Sequence, residues 1–260
     1  MKLRNQKFII LFSPLLLAAC SVSKHVPEGE YILDKVEVKS DQKEYDASPL
    51  VPYVRQKEKP KLFSLFKNPF TRKPVIFDTL QARLSCRDLL QAMQNQGYMN
   101  SGVSLQTEKK KKKLKATYLL HPGQPFTIGS VKYEVRDDSI RQLLHLDQPE
   151  NQMLKPGTRF TVEALDAERK RIAGLLSNQG YFRFNKDFIQ FAADTISGSR
   201  DIALTLQLMK YKANSSAPEV NHPRYVIRKV NYLSNDSDDI HLRRQVLLNA
   251  TAIKEGRPYD

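Results

Sequence analysis

Cysteine comes first among the residues that could do chemistry, because only two occur in 260 residues. A thiol can serve as nucleophile, metal ligand, half of a disulfide or acyl acceptor. Cys20 closes the stretch Leu17-Ala18-Ala19-Cys20, at the end of an apolar run from Phe8 to Ala18 that follows Lys2, Arg4 and Lys7. A basic head, a short apolar body and small residues make a removable export signal, and the run is too short to span a bilayer. Cys20 stands where such a signal ends, at a position that an ordinary small-residue cleavage site would not give to cysteine. Cys86 is then left alone on a helical pattern, with no His or Lys beside it to favour its thiolate. It reads as a small core residue, with no redox chemistry.

The other chemically able residues form no recognisable constellation. His25, His121, His145, His222 and His241 never fall at a metal-ligand spacing. Asn235, Asp236, Asp238 and Asp239 lack the Gly and the distal Glu of a calcium loop and read as helix-capping residues. No G-x-S-x-G, phosphate loop, dinucleotide fingerprint or H-E-x-x-H is present. Asp166, Glu168, Arg169 and Arg171 share a helix whose other face is apolar, which makes them solvated charges. No metal, no cofactor and no enzymatic activity are expected.

Charge and composition narrow the partners. Lys plus Arg is 42 against 28 Asp plus Glu, a net charge of +14, which attracts anionic partners such as nucleic acid, phospholipid or lipopolysaccharide. Export removes nucleic acid from that set. An apolar share of 40% with 10 Gly and 14 Pro excludes collagen-like and low-complexity classes. The basic run from Glu108 to Lys115 suits a solvated hairpin tip better than a docking site for anionic lipid. The Leu-Ala-Ala-Cys sequence resembles the lipobox of bacterial lipoproteins. That resemblance makes residues 1–19 the signal peptide and Cys20 the lipidation site, and Ser21 after it favours the periplasmic face of the outer membrane.

What must position any binding surface is a repeat. Tyr31-x-Leu33-x-x-Val36-x-Val38, Phe126-x-Ile128-x-x-Val131-x-Tyr133 and Tyr225-x-Ile227-x-x-Val230-x-Tyr232 share one spacing, at offsets of 95 and 99 positions. The apolar face flips once inside each, which predicts a strand with a bulge. A second repeated unit runs from Ala82 to Tyr98 and from Leu165 to Tyr181, where Asn-Gln-Gly-Tyr recurs. Leu80, Leu84, Leu89, Leu90 and Met93, and Leu165, Ile172, Leu175 and Leu176, fall at helical spacing, and each helix meets a C-terminal Gly. Two hairpins follow, the first turning through Lys109–Lys113, and a short helix is expected over Asp138–Leu146. Pro49, Pro52, Pro60, Pro69 and Pro74 argue for irregular structure or a proline-broken helix between 46 and 74. Ile253-x-x-Gly256-x-x-Tyr259 repeats Leu154-x-x-Gly157-x-x-Phe160, and the register then stops before a long helix. The reading is α+β: domains over 20–122 and 123–212, a linker over 213–222, and the start of a third domain over 223–260 whose remainder lies in a longer protein.

The stretch Cys20 to Val36, Val54-Arg55-Gln56-Lys57, Pro74-Val75-Ile76-Phe77-Asp78 and the two Gly-Tyr helix ends resemble the lipoprotein form of the outer-membrane barrel assembly family of Bacteroidetes. The resemblance covers essentially the whole mature chain. It implies tandem polypeptide-transport-associated (POTRA) domains of β-α-α-β-β order in the periplasm, each a three-stranded mixed sheet with helices on one face, ahead of a membrane barrel. No barrel strands are expected in these 260 residues.

Such a sheet leaves an edge, and an unpaired row of N–H and C=O groups accepts an extended peptide as an added strand. The family's fold implies that the strand after each Gly-Tyr is free. The candidate binding residues are therefore Ser101, Val103, Leu105 and Thr107 on one strand, and Asp187, Phe188, Ile189 and Phe191 on the other. Expected partners are the outer membrane, through lipid on Cys20, unfolded outer-membrane or exported proteins, and accessory envelope proteins. The alternative is a free-standing envelope lipoprotein that binds a fixed partner or glycan without translocation.

Overall fold

Apolar residues alternate along Lys113–His121 and Asp201–Leu208, which is the signature of a strand with one face in the core. In the computed structural model, which describes residues 26–58, 74–145, 152–232 and 243–259, both segments are central strands. Leu114, Ala116, Tyr118 and Leu120 are buried on the first, and Ile202, Leu204, Leu206 and Leu208 on the second. The chain divides into two compact units. The described residues up to Gln94 with Asn100–Gln124 make the first, and Asn95–Met99 with the described residues from Pro125 on make the second.

Unit 1 runs β1 (Ile32–Ser40), a 3-10 helix (Ser48–Tyr53), α1 (Thr79–Asn95), β2 (Gly102–Lys110) and β3 (Lys113–His121). Unit 2 runs β4 (Thr127–Val135), α2 (Asp138–Leu144), α3 (Val162–Ser177), a 3-10 turn (Lys186–Phe188), β5 (Ile189–Thr195) and β6 (Asp201–Leu208). The strand orders are β1-β3-β2 and β4-β6-β5, with the first strand parallel and the hairpin partner antiparallel to the centre. The expected α+β class and three-stranded mixed sheets are present. The expected bulge is there twice, as a register shift between Leu33 and Lys35 and again between Ile128 and Ser130.

The helices start where side chains can take up free backbone amides. Asp78 Oδ1 accepts from the N–H groups of Leu80 and Gln81 at 2.7 and 3.3 Å, and Thr161 Oγ1 accepts from Ala164 N–H at 3.1 Å. Asp137 caps α2 through Ser139 and Ile140. The α3 end is a left-handed turn at Gly180, φ +93, closed by Tyr181 N–H donating to Leu176 O at 3.0 Å. A methyl group there would lie 2.5 Å from Tyr225 O, so the position needs glycine for space as well as for conformation.

Unit 1 has no α-helix in the place of α2 among its described residues. Pro49 and Pro52 lie inside Ser48–Tyr53, and proline removes the donors that a longer helix would need, so the segment stays 3-10. Its follow-on is fastened by side chains: Gln56 Nε2 donates to Ile76 O at 3.1 Å, and Gln56 Oε1 accepts from Asp78 N–H at 3.0 Å.

Several expectations change. Leu80 is 62% exposed rather than a core residue, because it falls in the first turn of α1. Cys86 is half-buried, and burial raises its thiol pKa, which keeps it protonated and unreactive. The basic run forms the expected hairpin tip with a tighter turn than Lys109–Lys113: β2 continues to Lys110, the turn is Lys111-Lys112, and β3 begins at Lys113. Among the described residues the segment around Tyr225–Tyr232 forms no extended strand; it pairs with the chain after the short α4 (Arg244–Ala250) through the bridge Val226–Pro258, with Ile227 N–H donating to Arg257 O at 2.9 Å and Tyr259 N–H to Tyr225 O at 3.0 Å. The acidic group at 235–239 and His241 lie outside the described residues. Between Tyr211 and Val220 the chain folds back, with both backbone N–H groups donating across at 3.0 Å.

Candidate functional site

Both hairpin strands that follow a helix lie at a sheet edge, β2 in unit 1 and β5 in unit 2. Which backbone groups they present follows from ladder parity, since alternate residues of an antiparallel strand bond to the partner and the rest point away. The two-residue turn pairs Lys110 with Lys113, so the even residues of β2 bond to β3 and Val103, Leu105 and Thr107 face outward. On β5, Met209 N–H donates to Phe188 O at 2.8 Å, and Ile196 N–H donates to Asp201 O at 3.1 Å. These bonds set the even residues inward, so Phe191, Ala193 and Thr195 present N–H and C=O groups that are free among the described residues, whereas the Ile189 N–H donates to Lys186 O.

Val103, Leu105 and Thr107 thus have the outward parity. Ser101 precedes β2, and its Oγ is buried without a partner among the described residues. Ile189 and Phe191 belong to β5, Ile189 buried and Phe191 half-buried beneath the Arg169 guanidinium, 5.2 Å from the ring centre. Asp187 and Phe188 are not on that strand. They form a 3-10 turn capped by Asn185 Oδ1, and Phe188 N–H donates to Asn185 O, because Asn185 offers its side chain to the Asp187 amide before the strand can start. Cys20 lies outside the described residues.

The edges differ in how they are dressed. The far half of β2 carries Glu108, Lys109 and Lys110, all exposed, and Lys109 Nζ sits 4.5 Å from the Tyr31 ring centre. Charged side chains on an edge discourage indiscriminate pairing. The exposed part of β5 carries Gln190, Ala192, Ala193, Asp194 and Thr195, with little side-chain bulk to keep a strand away.

Two polar features behind unit 2's sheet escaped the sequence reading. Glu168 is 0% exposed, not solvated. Arg171 donates to both its oxygens at 2.7 and 2.8 Å, and Tyr133 Oη donates to Oε1 at 3.1 Å. Burial, and next the Glu168 carboxylate, push the Tyr133 hydroxyl above the usual tyrosine range. His222 is also buried, with Phe184 and Phe188 edge-on at 4.8 and 4.7 Å. Its Nε2 lies 2.9 Å from Met209 O, and a carbonyl only accepts, so Nε2 carries the proton. Charges on the neighbouring positions of α3 hide Glu168 in the sequence, and nothing in the sequence flags His222.

Among the described residues no group of three or more His, Cys, Asp or Glu is placed to hold a metal, and no helix is long and apolar enough to cross a membrane. No protein-family model matches the chain, and no curated protein matches it. Solved structures similar to it include POTRA3-5 of BamA from Haemophilus influenzae. That structure is 14% identical with a TM-score of 0.39, over 91% of this chain and 83% of that one. POTRA1-2 of the periplasmic domain of Omp85 from Anabaena is 13% identical with a TM-score of 0.31, over 70% of this chain and 96% of that one. BamA from Haemophilus ducreyi lacking POTRA domains 1-3 is 11% identical with a TM-score of 0.38, and the chain spans 29% of its length.

Proposed function

We propose that this chain is a lipid-anchored periplasmic scaffold of POTRA-like domains in an outer-membrane protein assembly or translocation factor. It receives unfolded substrates by strand addition and passes them to a barrel. The observation that carries the reading is the pair of open edges, β2 and β5, each presenting alternate free backbone groups at the rim of a packed sheet. Main-chain hydrogen bonds give such an edge affinity for many sequences, as a receptor for barrel precursors requires. Cys20 would carry the lipid that keeps the edges near the outer membrane, and no catalytic step is involved.

Hydrogen exchange with and without an unfolded barrel-strand peptide tests this. Protection is expected at the amides of Val103, Leu105 and Thr107, or of Phe191, Ala193 and Thr195. Phe191→Pro removes an outward donor and leaves the β5–β6 ladder bonded, so it should lower peptide affinity at β5 about tenfold while the unit stays folded. Phe188→Pro would instead break the 3-10 turn and is not a test of the edge. Unchanged exchange at both edges in a folded protein defeats the proposal.

A further inference from the structure

Val36, Val131 and Val230 hold one register position in the three repeats, just past the point where the first strand bulges or would bulge. On β1 the Val36 N–H points away from β3 and donates to Glu58 Oε2 at 3.1 Å. In the third repeat the Val230 N–H donates to Glu255 Oε1 at 3.0 Å. The two carboxylates come from unrelated places. Glu58 follows the 3-10 helix of unit 1, whereas Glu255 sits in the turn Lys254–Arg257. Two independent sources delivering an acid to the same amide mark this edge position as one that takes a carboxylate, and a charged acceptor makes the stronger kind of hydrogen bond there.

Among the described residues, the second repeat supplies no acid at this position. Its β4 is likewise an edge strand with the shift at the equivalent residue, so the Val131 N–H is the outward one, and among the described residues nothing accepts from it. The turn that supplies Glu255 is repeated as Lys155–Thr158: Thr158 N–H donates to Lys155 O at 3.0 Å as Arg257 N–H does to Lys254 O at 3.3 Å. Gly157 and Gly256 both have positive φ, 84° and 76°, yet Pro156 stands where Glu255 stands in the third repeat. Beside the open amide runs a groove of about 830 Å³, lined by Val131, Tyr133, Lys132, Arg141 and His145 among others, with no acid among the described residues that line it. Lys132 and Arg141 are already paired with Glu134 and Asp138 at 2.7 and 2.8 Å, so an arriving carboxylate would join an existing charge network.

We propose that the outer edge of β4 binds an extended peptide segment whose Asp or Glu side chain accepts from the Val131 N–H, in the place that Glu58 and Glu255 fill in the other repeats. This concerns the opposite edge of the sheet from β5 and adds a preference for an acidic residue. Its readouts are separate from those of Val103, Leu105 and Phe191, so either site can fail alone.

The test is amide chemical-shift titration of the full chain with a blocked eight-residue peptide of Thr, Tyr and Ser carrying one central Glu, and with its Gln counterpart. The Glu peptide should shift the Val131 and Tyr133 amides and bind about tenfold more tightly than the Gln peptide, the ratio expected when a charged acceptor replaces a neutral one. Pro156→Glu, on an exposed turn, should move the Val131 amide with no peptide present and weaken the Glu peptide at least tenfold. Equal affinity for the two peptides, no response at Val131, or a Pro156→Glu chain that binds the Glu peptide as before would each overturn the proposal.

Discussion

Ser85 in unit 1 and Glu168 in unit 2 occupy the same turn of the long helix, 83 positions apart, and both side chains are 0% exposed. Unit 1 satisfies the position with neutral groups: Ser85 Oγ donates to Gln81 O at 2.8 Å and accepts from Arg55 N–H at 3.0 Å. Unit 2 fills it with a carboxylate held by Arg171 and Tyr133. One architecture thus tolerates a polar group under its helix in two ways, provided that every donor and acceptor is met. The charged solution carries more risk, because a buried carboxylate that loses its partner cannot be solvated in place.

That contrast orders the stability predictions. Arg171→Met leaves Glu168 buried with only Tyr133 donating to it, and the loss should be about 3 kcal/mol, the lower end of what breaking a buried pair costs because Arg171 is partly exposed. It should fall on unit 2. Amide exchange at Leu204 and Leu206 should accelerate while Ala116 and Tyr118 keep their protection. A loss shared equally by both sheets would mean that the pair is not local to unit 2. Ser85→Ala removes the acceptor of Arg55 N–H without stranding a charge, so about 1–2 kcal/mol is expected, in unit 1 alone, measured by the same exchange experiment. If Ser85→Ala proves costlier than Arg171→Met, the difference drawn between the two positions is wrong.

The same contrast shows what a sequence conveys. The bulged first strands were legible at Leu33–Val36 and Ile128–Val131 because a face flip leaves a mark in the spacing. The edges were implied by the family resemblance and not by spacing, since nothing in a hairpin pattern says which of its strands takes the centre; the strand orders put β2 and β5 outermost. Glu168 was not, since its helix has charges on neighbouring positions and only packing tells which of them turns inward. Asp187 and Phe188 were misplaced by a side-chain bond, Asn185 to the Asp187 amide, that delays the strand by two residues. The Glu58 contact with Val36 was invisible because it joins an irregular segment to a strand 22 residues away.

A smaller effect separates the units by pH. Burial lowers the pKa of His222 from its ordinary 6.5, opposed by its bond to Met209 and by the Asp137 charge. The folded ring stays neutral where the unfolded ring would take a proton, so its contribution is intact above about pH 6.5 and is lost progressively as pH falls. In unit 1, Glu37 is held at about 2 by Lys35 and Lys39, and in unit 2 Asp166 is held at about 2 by Lys170 and Lys186. Those carboxylates stabilise above their ordinary values of 4.5 and 3.8 and lose that only as pH drops toward 2. Between roughly pH 7.5 and 5.5, spanning the ordinary histidine range, only unit 2 should weaken. Urea midpoints read from the methyl resonances of Leu206 for unit 2 and Leu120 for unit 1 check this, with the first falling and the second level. His222→Phe keeps the ring packing against Phe184 and Phe188 and removes the titrating group. It should lower the unit 2 midpoint at every pH, since Met209 O loses its donor, and flatten its slope across this window. A slope that survives the substitution would assign the acid sensitivity of unit 2 to some other group.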